Sequence, residues 1–222
     1  MEEISDFESL SYVDGFYNLR KNFLFTKDKD QRQSYINQLS VTRALTRLKN
    51  LELIGLEFGK PPSDIIFNYK KVSYIAEVKT IYWPNKSKKL NGPPFVLKCE
   101  DYFNSNGEVI KELPKELPEI PSGYDLKKII DTVYKAYRQL KQNYFNIIFL
   151  IVEPWWIHKS DIEDALYEIF ARSEDREFAK RPLLNAVVYC GISSPPNYVY
   201  QNPNACEIEQ ELKSFIENAK LT

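Results

Sequence analysis

Between Asp64 and Ile81 the chain carries two apolar stretches that read as strands, and it places charge inside both. Asp64 to Tyr69 and Val72 to Ile81 are rich in Ile, Val, Phe and Tyr and are joined at Lys70-Lys71. With the turn centred between those lysines, Tyr69 faces Val72 and, by the same count, Asp64 faces Glu77. Directly opposed residues of an antiparallel pair have Cβ atoms ~5 Å apart, so two carboxylates are set against each other. Lys79, two residues past Glu77, projects from the same face. Ile65, Phe67, Ala76 and Val78 surround them, so the hairpin is expected to be largely buried.

Two acids and a lysine on a buried hairpin need a reason, and a hard divalent cation supplies one. Mg²⁺ binds through one or two carboxylates and keeps several waters. It lowers the pKa of a bound water and stabilises charge on a phosphoryl oxygen. Lys79 would orient the attacking water or neutralise the developing charge. The plain alternative is a surface hairpin on which Lys79 pairs with Glu77 or Asp64 as an ordinary salt bridge.

Other chemistries find little support. One histidine, His158, excludes zinc hydrolases that need several. Cys99, Cys190 and Cys206 lie far apart and read as buried or half-buried thiols rather than a disulfide or metal framework. There is no Gly-x-x-x-x-Gly-Lys-Ser/Thr loop, no Gly-x-Gly-x-x-Gly turn and no Gly-x-Ser-x-Gly elbow, and only seven glycines in 222 residues. Carboxylates and lysines must carry any catalysis.

Around the hairpin the sequence alternates helical and strand patterns. Ile4 to Phe25 reads as one helix or two short ones, and Gln31 to Asn50 as a helix with no acid but with Arg32, Arg43, Arg47 and Lys49. Leu51 to Phe58 is a strand, and Pro61-Pro62-Ser63 breaks the chain before the hairpin. Residues 82–123 hold six prolines and read as an inserted arm, with a turn at Asn104-Ser105-Asn106-Gly107. Leu126 to Gln142 is amphipathic, with Lys127, Lys128, Lys135, Arg138 and Lys141 on its polar face. Then come a buried strand (Asn146 to Val152), a helix from N-cap Ser160 to Ala171, a strand (Leu184 to Ile192) and a last helix (Cys206 to Ala219). The expectation is one α/β domain over 1–222: a mixed central sheet flanked by helices, with the arm inserted.

Pro62-Ser63-Asp64, twelve residues, then Glu77-Val78-Lys79 resembles the signature of the PD-(D/E)XK, or restriction-endonuclease-like, nuclease superfamily. The element order from Gln31 to Val152, about half the chain, resembles that superfamily's core. The likeness is nearest to archaeal Holliday-junction resolvases and nuclease-like proteins of crenarchaeal viruses. It implies a restriction-endonuclease-like core in which Asp64, Glu77 and the Val78 carbonyl hold Mg²⁺ or Mn²⁺, and Lys79 assists the water. Many members carry a further acid on the first core helix, which Gln31 to Asn50 lacks. Glu57 or Glu52 is the candidate substitute, and Gln38 a neutral ligand.

The net charge of −1 means that contact with nucleic acid must come from local patches. Lys86, Lys88, Lys89 and Lys98 follow the hairpin without an intervening acid between Thr80 and Lys98, beside Tyr82 and Trp83. Arg43 and Arg47 on one helix, with Lys135, Arg138 and Lys141 on another, are candidate walls of a cleft, though charged helix faces are usually just solvated. Trp83 and Trp155-Trp156 read as packing before stacking, and His158 has no assigned role. No signal peptide or membrane-spanning run is visible, so the expected setting is intracellular: cytoplasm, or host cytoplasm for a viral protein. The expected activity is metal-dependent hydrolysis of DNA phosphodiesters. The resemblance alone implies branched DNA such as four-way junctions, and a homodimer, since two symmetric cuts need two centres. The alternatives are an exonuclease, or a catalytically weak or inactive DNA-binding or assembly protein with the same fold.

Overall fold

A computed structural model describes residues 4–58, 62–82, 124–153, 157–171, 183–191 and 196–220. All of them but Tyr124 belong to one compact unit, Met1–Tyr82 together with Asp125–Thr222. The expected arm lies, from residue 83 on, outside the described residues, as do Lys86, Lys88, Lys89, Lys98, Cys99, Trp83 and Trp155-Trp156.

A 3-10 segment, Ile4–Leu10, precedes helices α1 (Phe16–Phe25) and α2 (Lys29–Leu45). Strands β1 (Leu51–Phe58), β2 (Ser63–Tyr69) and β3 (Val72–Ile81) follow. After the undescribed stretch come α3 (Tyr124–Tyr137), β4 (Phe145–Val152), α4 (Lys159–Ala171), β5 (Leu184–Gly191), β6 (Tyr198–Gln201) and α5 (Gln210–Asn218). The strands form a single sheet in sequence order, β1 to β6. The β3–β4 and β4–β5 pairs are parallel and the other three antiparallel. The chain is thus a mixed α/β fold with an open six-stranded sheet.

Alternation along the strands sends residues to two cores. Ala76, Val78, Ile147, Phe149 and Val188 pack toward residues of α1, α2 and α5, while Ile148, Leu150, Val152 and Val187 pack toward α3 and α4. The hairpin register is the expected one, with Tyr69 opposite Val72 and Ile65 opposite Ala76. Lys70 and Lys71 both have positive φ, 48° and 68°, as a two-residue hairpin turn of the favoured twist requires.

Several boundaries differ from expectation. Helix α2 begins two residues early because Asp28 caps it, accepting from the backbone N–H of Asp30 and Gln31. It therefore does contain an acid, Asp30. Ser160 is not the N-cap of α4: the His158 carbonyl accepts from Asp161 and Ile162, and the Asp161 carboxylate takes the His158 N–H at 2.6 Å. Residues 206–209 are not helical, and β6, a four-residue edge strand, was not expected. Cys206 is exposed rather than buried.

Gly15 holds α1 against β1. Its φ is +87°, and a Cβ there would lie 1.8 Å from the Leu56 carbonyl oxygen. Only glycine permits both that backbone and that approach. Beside it, Leu56 N–H donates to the Asp14 carbonyl.

Candidate active site

The β2–β3 ladder stops at Ile65 opposite Ala76, and side-chain chemistry takes over one step beyond. The Asp64 carboxylate fills the gap: its Oδ2 accepts the Val78 N–H at 2.7 Å and the Lys79 ammonium at 3.1 Å. The same ammonium donates to Glu77 Oε2 at 3.0 Å, and Glu77 Oε1 accepts weakly from the Asp64 N–H at 3.4 Å. The N–H and C=O of one strand residue point the same way. The Val78 carbonyl is therefore turned toward the gap that its N–H enters. Gln38 of α2 closes one side, donating to the Asp64 carbonyl at 2.6 Å.

Burial makes this cluster electrostatically tight. Glu77 is fully buried and Asp64 nearly so. Burial, then the neighbouring Asp64, pushes the Glu77 carboxyl up to about 8, against the pull of Lys79. Burial works against the Lys79 ammonium, but Asp64 and Glu77 outweigh it and its pKa is raised. Two carboxyl groups thus share one ammonium, and burial first, then Asp64, favours the protonated form of Glu77.

The cluster opens on a pocket of about 270 Å³. Asp64, Val78, Lys79 and Thr80 line it from the sheet, and Ser34, Tyr35 and Gln38 from α2. Glu57 and Tyr82 also line it, as do Lys128, Thr132 and Lys135 of α3. Carboxylate and carbonyl oxygens together are the donor set that suits a hard cation, so the chemistry of these residues fits Mg²⁺ or Mn²⁺. Among the described residues, however, no three His, Cys, Asp or Glu side chains form a group placed to hold a metal ion.

Asp64, Glu77 and Lys79 therefore meet, as the count across the turn implied. The candidate substitutes for the helix acid part company. The β1–β2 register slips between Leu53 and Gly55 and resumes with Leu56 opposite Ile65 and Phe58 opposite Ser63, which sets Glu57 opposite Asp64. A bulge re-aims a side chain in this way. Glu57 also has positive φ, 51°, and its carboxyl is raised by burial and by Asp64. Glu52 is exposed and accepts from Asn68 at 3.2 Å, away from the pocket. Asp30, the acid that α2 does carry, sits in its first turn, where its carbonyl accepts the Tyr82 hydroxyl; it does not line the pocket.

Of the proposed cationic contacts, Lys135 lines the pocket. Arg43 instead lies over the Phe7 ring, 4.8 Å from its centroid, and Arg47 and Arg138 are exposed and outside the lining. Lys128, Thr132 and Tyr35 also line the pocket although the sequence did not mark them as site residues; Tyr82, named beside the lysines that follow the hairpin, lines it too. For Lys128 the signal was present, seven residues before Lys135 and so on the same face of a helix.

No protein-family model matches this chain, and no curated protein matches it in sequence. Among solved structures, that of Pyrococcus furiosus SfsA in complex with Ca²⁺ aligns with it at 12% identity and a TM-score of 0.27. The alignment covers 81% of this chain and 65% of that one, a likeness too distant to bear on function.

Proposed function

We propose that the chain is a metal-dependent deoxyribonuclease of the PD-(D/E)XK type, with a restriction-endonuclease-like core and its centre at Asp64, Glu77 and Lys79. The observation that carries this reading is the gap beyond Ile65 and Ala76. There Asp64 and the fully buried Glu77 share one ammonium, and Asp64 and Lys79, though not Glu77, line an open pocket. Asp64, Glu77 and the Val78 carbonyl would hold Mg²⁺ or Mn²⁺, with Glu57 or Gln38 as a further ligand. The cation supplies an activated water and charge stabilisation at the attacked phosphate. Lys79 positions that water or offsets the growing phosphoryl charge. Water attacks phosphorus in line, and the P–O bond to the leaving oxygen breaks with a proton returning to that oxygen.

Endonucleolytic action on branched DNA, such as four-way junctions, by a homodimer rests on the resemblance of the motif. A second reading, a nuclease-like fold that binds DNA without turnover, is favoured by the absence of a three-ligand metal group among the described residues. One assay separates them. Linear, covalently closed and four-way-junction DNA are incubated with Mg²⁺, Mn²⁺ or chelator, using wild type, Glu77→Ala and Lys79→Ala. Metal-dependent nicking of the closed circle, lost in both variants, supports an endonuclease. Cutting of ends alone points to an exonuclease, and binding with no cleavage of any substrate sinks the catalytic reading.

A further inference from the structure

Two lysines of α3 stand in the pocket with no task in the chemistry above. Lys128 and Lys135 are seven residues apart, on one face of the helix, about 10 Å along its axis. Both line the same pocket as Asp64 and Lys79. Lys79 is held by two carboxylates, whereas neither Lys128 nor Lys135 has an ion-pair partner among the described residues. Between them Thr132 spends its hydroxyl proton on the Lys128 carbonyl, at 2.7 Å, so it is wall rather than donor. Asp64 and Glu57 line the pocket and would repel a polyanion unless cations offset them; among the described lining residues Lys128 and Lys135 are the cations not already paired with an acid.

We propose that Lys128 and Lys135 form a phosphate subsite that holds a phosphate neighbouring the one attacked. The assignment deepens the nuclease reading and rests on it for the meaning of "neighbouring". It makes the substrate a polynucleotide chain with at least two phosphates in reach, and an isolated phosphodiester a poor ligand.

The test is binding in chelator, where no turnover is needed, followed by cleavage. A fluorescent single-stranded oligonucleotide is titrated with the full chain across a salt series, using wild type, Lys128→Gln, Lys135→Gln, the double variant and Lys127→Gln. Lys127 is exposed on the same helix but outside the pocket, so it controls for charge alone. The double variant is expected to bind roughly 10-fold or more weakly, with the salt slope reduced by about 0.7 per lysine, and Lys127→Gln to match wild type. With Mg²⁺, the double variant should show a raised KM for the oligonucleotide with kcat nearly kept. Its hydrolysis of bis(p-nitrophenyl) phosphate, which has no neighbouring phosphate, should be unchanged. Unaltered affinity and slope in the double variant, an equal loss in Lys127→Gln, or no oligonucleotide binding by wild type overturns the subsite. If wild type never cleaves but the pocket lysines still govern binding, the phosphate subsite stands and the nuclease reading falls.

Discussion

Among the described residues, two groups of polar side chains buried in or beside the sheet are built on opposite principles. Near the start of β4 and β5 the groups are neutral asparagines. The Asn146 amide donates to the carbonyls of Lys141, Tyr144 and Leu183 at 2.8–2.9 Å, and its Oδ1 accepts from Lys141 N–H. Asn185 accepts from Asn146 N–H and donates to Cys206, and Asn202 donates to the Leu184 carbonyl. Backbone groups of loops and strand ends answer these side chains. At the β2–β3 gap the groups are ionisable, two acids to one ammonium; Asp64 and Lys79 line a pocket, and Glu77 is fully buried. Saturated buried polarity fixes chain path. A buried acid whose pKa is raised, beside a pocket, marks a candidate functional site.

Substitutions can break that contrast, and the largest effect is expected at the charged cluster. Asp64→Asn keeps the shape but removes the charge, and DNA cleavage per folded molecule should fall by about 10³-fold, measured on closed circular DNA with Mn²⁺. Asn146→Ala should do the reverse. It orphans Lys141 N–H and several carbonyls, costing about 3 kcal/mol. Thermal melting should fall by roughly 6–12 °C, with cleavage by the folded fraction unchanged.

Glu77→Gln sharpens the comparison through pH. The folded chain holds the Glu77 proton more tightly than the unfolded chain does. This group's stabilising contribution is thus fully present below about 4.5 and is lost as pH rises through about 8. In chelator, wild-type stability should decline across that window, while Glu77→Gln declines less. The variant should be the more stable by on the order of 1–3 kcal/mol at pH 9, read from denaturant melts at each pH. The smallest effect belongs to the turn. Lys71→Gly relieves a positive φ and should stabilise by up to about 1 kcal/mol, with cleavage unaltered, in the same melts.

The charged cluster was legible in the sequence because a two-residue turn and a period of two suffice to set Asp64, Glu77 and Lys79 together. The mixed sheet flanked by helices was legible too, from apolar runs and amphipathic spacing. Glu57 was ambiguous for a physical reason. An unbulged β1 would set it opposite Ser63, and the slip between Leu53 and Gly55 moves it to Asp64. The loss of Arg43 from the expected cleft follows from its place over the Phe7 ring, a contact between elements distant in the chain. Strand β6 escaped because four residues ending in Gln201 carry too short an alternation to stand out. The asparagine network gave no signal at all, since its partners are mostly backbone groups of loops and strand ends distant in the chain.

The most direct measurement is Mn²⁺ binding to the isolated protein, followed by calorimetry and by the electron paramagnetic resonance of the ion, in wild type and in Asp64→Asn and Glu77→Gln. A site that cages a hard cation between Asp64 and Glu77 should bind Mn²⁺ in wild type, be displaced by Mg²⁺, and lose most of its affinity in either variant. Wild type that takes up no ion, or variants that bind it as tightly as wild type, would show that the two acids serve Lys79 alone.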